Sequence, residues 1–111
     1  MDLLQGTLDL LILRSLVYGE AHGHAISKHI QRTSEELLQV DTGSLYPALH
    51  RLEKQGLIGA SWRTSDKGKR AKYYRLTAEG KRRLAAERSR WEQMAKAIGR
   101  VLESVSWSGL L

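Results

Sequence analysis

The stretch that decides the fold is Asp41 to Gly56, DTGSLYPALHRLEKQG. Leu45, Leu49 and Leu52 recur at steps of four and three residues, so they share one helix face and leave Ser44, Tyr46, Pro47, His50 and Arg51 pointing elsewhere. A proline in a helix interior removes a needed N–H, but in the first turn nothing is lost, so an N-cap at Thr42 or Ser44 accommodates Pro47. The N-terminus of such a helix offers a hydroxyl, a phenol, a compact ring and backbone N–H groups at the positive end of the dipole. That combination suits a polyanion. An ordinary amphipathic helix with a capped start has the same spacing, so the flanking sequence has to separate the two readings.

Downstream, Gly56 closes this helix and Leu57 to Thr64 reads as a strand, with Ile58, Ala60 and Trp62 alternating against Gly59, Ser61 and Arg63. Ser65 to Gly68 is a turn, and a second strand over Ala71 to Leu76 sets Tyr74 and Leu76 against Tyr73 and Arg75. Lys67, Lys69, Arg70 and Lys72 crowd the tip of this hairpin, where an anionic partner explains them better than a solvated edge. Thr77 is placed to cap a last helix from Ala78 to Val105. Leu84, Trp91, Ala95, Ile98, Leu102 and Val105 form a stripe of three- and four-residue steps, flanked by Met94 and Val101, once a gap at Arg88 is allowed. At about 1.5 Å per residue the helix spans about 42 Å, more than a small domain can cover. A second copy is the economical cover.

Upstream, Thr7 to Tyr18 is a strongly apolar helix with Leu8, Leu11, Ile12 and Leu16 on one face and Leu10, Leu13 and Val17 broadening it. Thr7 is its expected cap and Gly19 its end; Leu3 and Leu4 would extend its apolar surface. Either a core position or a subunit contact accounts for that breadth. A second helix over His22 to Thr33 is anchored by Ile26 and Ile30, with Lys28, His29 and Arg32 outside. Leu37, Leu38 and Val40 are expected to return the chain to the core.

The chain has 111 residues, net charge +6 and no cysteine. One domain is expected, with no disulfide framework and no thiolate metal site. Residues 51 to 90 hold 13 Lys/Arg against 4 Asp/Glu, while the remainder holds 5 against 8, so the positive charge is concentrated where the hairpin lies. His24 and His29 are five apart without an acidic or thiol companion at zinc spacing, so no metal and no cofactor is expected. Polar residues interrupt every apolar run short of membrane length and no basic segment leads the first one, so a cytoplasmic protein without membrane association is expected. No Gly-x-Ser-x-Gly elbow, phosphate loop or His-Glu-x-x-His is present, and an enzyme is not expected.

The order of elements predicts a mainly α fold with a small β-hairpin, a winged helix-turn-helix with a long C-terminal dimerisation helix. Over nearly its whole length the chain resembles the PadR-like transcriptional regulators. The likeness rests on GTLDLLIL from Gly6 to Leu13, TGSLYPALHRLEKQGLI from Thr42 to Ile58, and GKRAKYYRLTAEG from Gly68 to Gly80. One departure is His22-Gly23-His24-Ala25, where the family usually has Gly-Tyr-Glu. The resemblance implies residues 1–76 as a DNA-binding part and 77–111 as a dimerisation helix, in one continuous unit. It implies a homodimer on a pseudo-palindromic operator in double-stranded DNA, usually repressing. Carried over, Thr42, Ser44, Tyr46 and Pro47 approach bases and phosphates, His50 and Arg51 lie at the groove edge, and Lys67, Lys69, Arg70 and Lys72 serve the wing. Trp91, with Ala95, Ile98 and Leu102, resembles the dimer centre at which some members bind a small aromatic effector. The alternative is a winged-helix adaptor whose basic wing meets an acidic protein.

Overall fold

A computed structural model describes residues 5–103. Its elements are α1 (Gln5–Ser15), β1 (Ala21–His22), α2 (Gly23–Thr33), α3 (Thr42–Lys54), β2 (Ile58–Thr64), β3 (Arg70–Leu76) and α4 (Ala78–Glu103). The three strands form one antiparallel sheet in the order β1-β3-β2. Leu3, Leu4, Val105 and the chain end fall outside the described residues.

The core lies where α1, α2 and α3 meet the start of the hairpin. Leu8, Ile12, Leu13 and Leu16 of α1 pack with Ile26 and Ile30, with Leu45, Ala48, Leu49 and Leu52, and with Leu57, Ile58 and Tyr74. The helical spacing expected for α2 and α3 therefore identifies their buried faces. α1 differs at both ends. It begins before Thr7, which lies within it, and it stops at Ser15, after which Leu16 and Val17 tighten into three-residue turns on Leu13 and Arg14. Val17 and Tyr18 stay exposed, and the Tyr18 hydroxyl accepts a hydrogen bond from Arg14 at 3.2 Å.

After α2 the chain turns through Glu35 and Glu36, both with positive φ (54° and 67°). This turn swings Leu37 outward to 61% exposure, contrary to the expectation that it enters the core, while Leu38 and Val40 pack against it. α3 ends at Gly56, whose φ of 76° is the left-handed conformation that suits glycine; Gly56 N–H bonds Glu53 and Leu57 N–H bonds Leu52.

The same turn anchors α4. Thr77 donates its hydroxyl to the Gly56 carbonyl (2.7 Å) and accepts from Gly80 N–H (3.0 Å), which makes it the expected cap. Gly80 is buried there because a Cβ would collide with the Leu57 carbonyl oxygen. From this root α4 packs first on α1 and then projects. The molecule measures 61 × 27 × 22 Å. Trp91, Met94, Ile98 and Leu102 are 49%, 55%, 52% and 48% exposed, although their spacing is that of a buried seam.

Candidate nucleic-acid interface

α3 presents Thr42, Ser44, Tyr46, Pro47 and His50 on its solvent side while Leu45, Ala48, Leu49 and Leu52 face the core. Its start corrects the expected cap. Asp41 is the N-cap, its carboxylate accepting from Ser44 N–H at 2.8 Å and facing the Ser44 hydroxyl at 3.4 Å. A carboxylate caps better than a hydroxyl because it also meets the positive end of the dipole. The N–H of Ser44 is thereby engaged rather than offered to an anion. Pro47 consequently lies in the second turn, not the first, and Gly43 receives no amide proton from it.

Tyr46 is half exposed and its ring lies over Gly23, the first residue of α2. A Cβ at Gly23 would come within 2.9 Å of the phenol oxygen. Gly23 therefore lets the phenol rest against the α2 backbone, and this fixes the direction in which Tyr46 points.

Arg51 does not stand at the groove edge. Its Nη2 donates to Asp9 Oδ1 on α1 at 2.5 Å, with the two side chains 29% and 23% exposed. Burial pushes the Asp9 carboxyl up from the usual carboxylate range even though the Arg51 hydrogen bond and charge oppose it. The i+6 position of Arg51 relative to Leu45 turns it toward α1, which a helix considered alone does not reveal.

In the hairpin the register runs from Ile58↔Leu76 to Thr64↔Arg70. Lys69 NH bonds Ser65 Oγ and Ser65 N–H bonds the Lys69 carbonyl, and Gly68 has φ 78°, closing the expected turn. Lys67, Lys69 and Arg70 are exposed at this tip. Lys72 points back instead, its Nζ 2.9 Å from Glu53 of α3 and over the Tyr74 ring. That hydrogen bond holds the lysine above its ordinary value, and burial pushes the Tyr74 phenol up. The reason is strand parity: Lys72 shares the face of buried Tyr74.

Trp62 shares that face too, but farther out, where the hairpin has left the body; it is 58% exposed with the Arg70 guanidinium 5.1 Å from its ring centroid. Arg63, on the opposite face, is tied to Glu20 and lies over Tyr73. The sequence reading placed Trp62 inward and gave Arg63 no role. The turn at Ser65 to Gly68 carried the signal for both, because it fixes the cross-strand register.

β1 was not expected from the sequence. Ala21 and His22 pair with Tyr74 and Tyr73, and His22 also caps α2, its Nδ1 accepting from Ala25 N–H at 3.1 Å. The short strand ties the root of α2 to the wing.

Residues 12–86 match the transcriptional regulator PadR-like family. A transcriptional regulator of Mycobacterium tuberculosis is 34% identical over 87 residues, 78% of each chain. A transcriptional regulator from Clostridium thermocellum has a similar structure, with TM-score 0.79 and 35% identity over 86% of this chain and 93% of that one. A PadR family transcriptional regulator from Eggerthella lenta gives 0.78 and 34% over 91% and 86%. These relatives are regulators, not enzymes, and their likeness spans the helices, the wing and the long terminal helix. The chain belongs to the PadR-like family of transcriptional regulators, a family of winged-helix DNA-binding proteins.

Proposed function

We infer that this protein is a homodimeric repressor that binds a pseudo-palindromic operator, with residues 1–76 meeting DNA and 77–111 joining the subunits. The observation that carries this is the apolar face of α4, where Trp91, Ile98 and Leu102 stay half exposed on the same chain that displays the N-terminal half of α3. Pairing α4 with its two-fold mate buries that face and sets two α3 helices at a fixed spacing. Tyr46, Pro47 and His50 then meet bases, while Thr42 and Ser44 meet phosphates. Lys67, Lys69 and Arg70 hold the backbone from the wing. Lys72 and Arg51 act from behind, through Glu53 and Asp9.

A single convex helix face makes no pocket, so an aromatic effector at Trp91 requires the second α4 beside it. The protein works in the cytoplasm, where its operator is. Sequencing of genomic fragments selected by the purified protein tests the reading: a two-fold motif supports it. An adaptor that meets an acidic protein through its wing would show no preference over random duplex, and that result overturns it. Expression of a reporter behind the selected fragment distinguishes repression from activation.

A further inference from the structure

The exposed side of α2 carries a second feature of the same kind. His24, Lys28 and Arg32 follow one another at four-residue steps and all three are exposed. With His22, His29, Ala25 and Thr33 they line an open depression of about 510 Å³. Like charges one turn apart repel. Many of the protein's cations are neutralised internally, among them Arg51 on Asp9, Lys72 on Glu53 and Arg63 on Glu20. Lys28 and Arg32 make no ion pair among the described residues.

The end of this row that carries His24 borders both elements of the interface: Tyr46 of α3 lies over Gly23, and His22 pairs with Tyr73 of the wing strand. We propose that His24, Lys28 and Arg32 form a third DNA contact, to the phosphate backbone flanking the bases met by α3, and that His24 makes this contact proton-dependent. This rests on the operator reading above. The row is about 12 Å long, comparable with the axial span of three or four phosphates of one strand.

The groups around His24 are His22 of β1 at 6.3 Å between ring centroids, Tyr73 of β3 behind it, Tyr46 of α3 and Lys28 on its own helix. Beyond α2, Glu36 is held by Gln31. A phosphate beside the imidazole favours its charged form, so binding takes up a proton in the range where histidine titrates.

The test uses the full chain and a duplex selected by it from genomic DNA. Lys28→Ala with Arg32→Ala should flatten the slope of log affinity against log salt by about 2. Wild-type affinity should rise about three- to tenfold between about pH 8 and about pH 6, and His24→Gln should remove this rise. An unchanged slope in the alanine pair overturns the third contact while leaving operator binding intact. A pH dependence that survives His24→Gln but disappears in His50→Gln assigns the proton to α3 and overturns the role of His24. Absence of sequence preference in the wild type overturns the operator reading itself.

Discussion

Replacing Arg51 by methionine separates an internal role from a DNA contact. Methionine keeps an apolar stem of similar reach and removes only the guanidinium. The pair is neither fully exposed nor fully buried: its side chains are 29% and 23% accessible and the Arg51 Nε is buried without a partner. Exposed pairs contribute up to about 1 kcal/mol and loss of one partner from a buried pair costs about 3–5, so about 2 kcal/mol at neutral pH is expected here. For a chain of this size that lowers Tm by about 8 °C.

The pH dependence follows from Asp9. Its carboxyl is raised in the folded protein, with burial as the first cause and Arg51 opposing it. A raised acid contributes stability that is present below its unfolded value and lost as pH rises through the folded value. Removing Arg51 raises it further, so the deficit of the variant is largest near neutrality and shrinks on acidification toward the ordinary aspartate range. Urea unfolding at about pH 7 and about pH 4.5, beside DNA titrations at several salt concentrations, reads both effects. Undiminished stability together with a salt slope flatter by about 1 would refute the internal role and return Arg51 to the DNA backbone.

Other perturbations follow from the same geometry. Tyr46→Ala should weaken binding to the selected duplex with little change in salt slope, and equal loss on random DNA would count against base reading. Lys69→Ala with Arg70→Ala should flatten the slope by about 2, whereas Lys72→Ala should chiefly lower stability because its ammonium sits on Glu53. Ile98→Glu should give monomers in sedimentation and abolish tight binding together; a monomer of full affinity would sever that link. Gly80→Ala should destabilise by about 2–4 kcal/mol in urea, since the methyl meets backbone at Leu57 and cannot be turned aside. A shift below about 0.5 kcal/mol would show that the root of α4 can yield.

The order of helices, the hairpin, the cap at Thr77 and the buried leucines of α3 were legible because each is a local statement. Periodicity assigns faces, and glycine and hydroxyl residues mark ends. The spacing of Trp91, Ile98 and Leu102 likewise identified an apolar face that the single chain leaves uncovered. Local rules failed where two neighbours competed for one role. Thr42, Ser44 and Asp41 can each cap α3, and the carboxylate prevailed through charge as well as hydrogen bonding. Leu37 fits an apolar pattern, but the left-handed turn at Glu35 and Glu36 decides which way it points.

The candidate site divides along the same line. The sequence by itself determined that Tyr46, Pro47 and His50 oppose the buried face of α3, and that the positive charge gathers after it, because both depend only on position along the chain. Only the tertiary structure decided which cations remain outward. Asp9 lies 42 residues before Arg51, and Glu53 lies 19 before Lys72. No local pattern encodes such pairings, since a charge is neutralised by whatever the fold brings within a few ångströms of it.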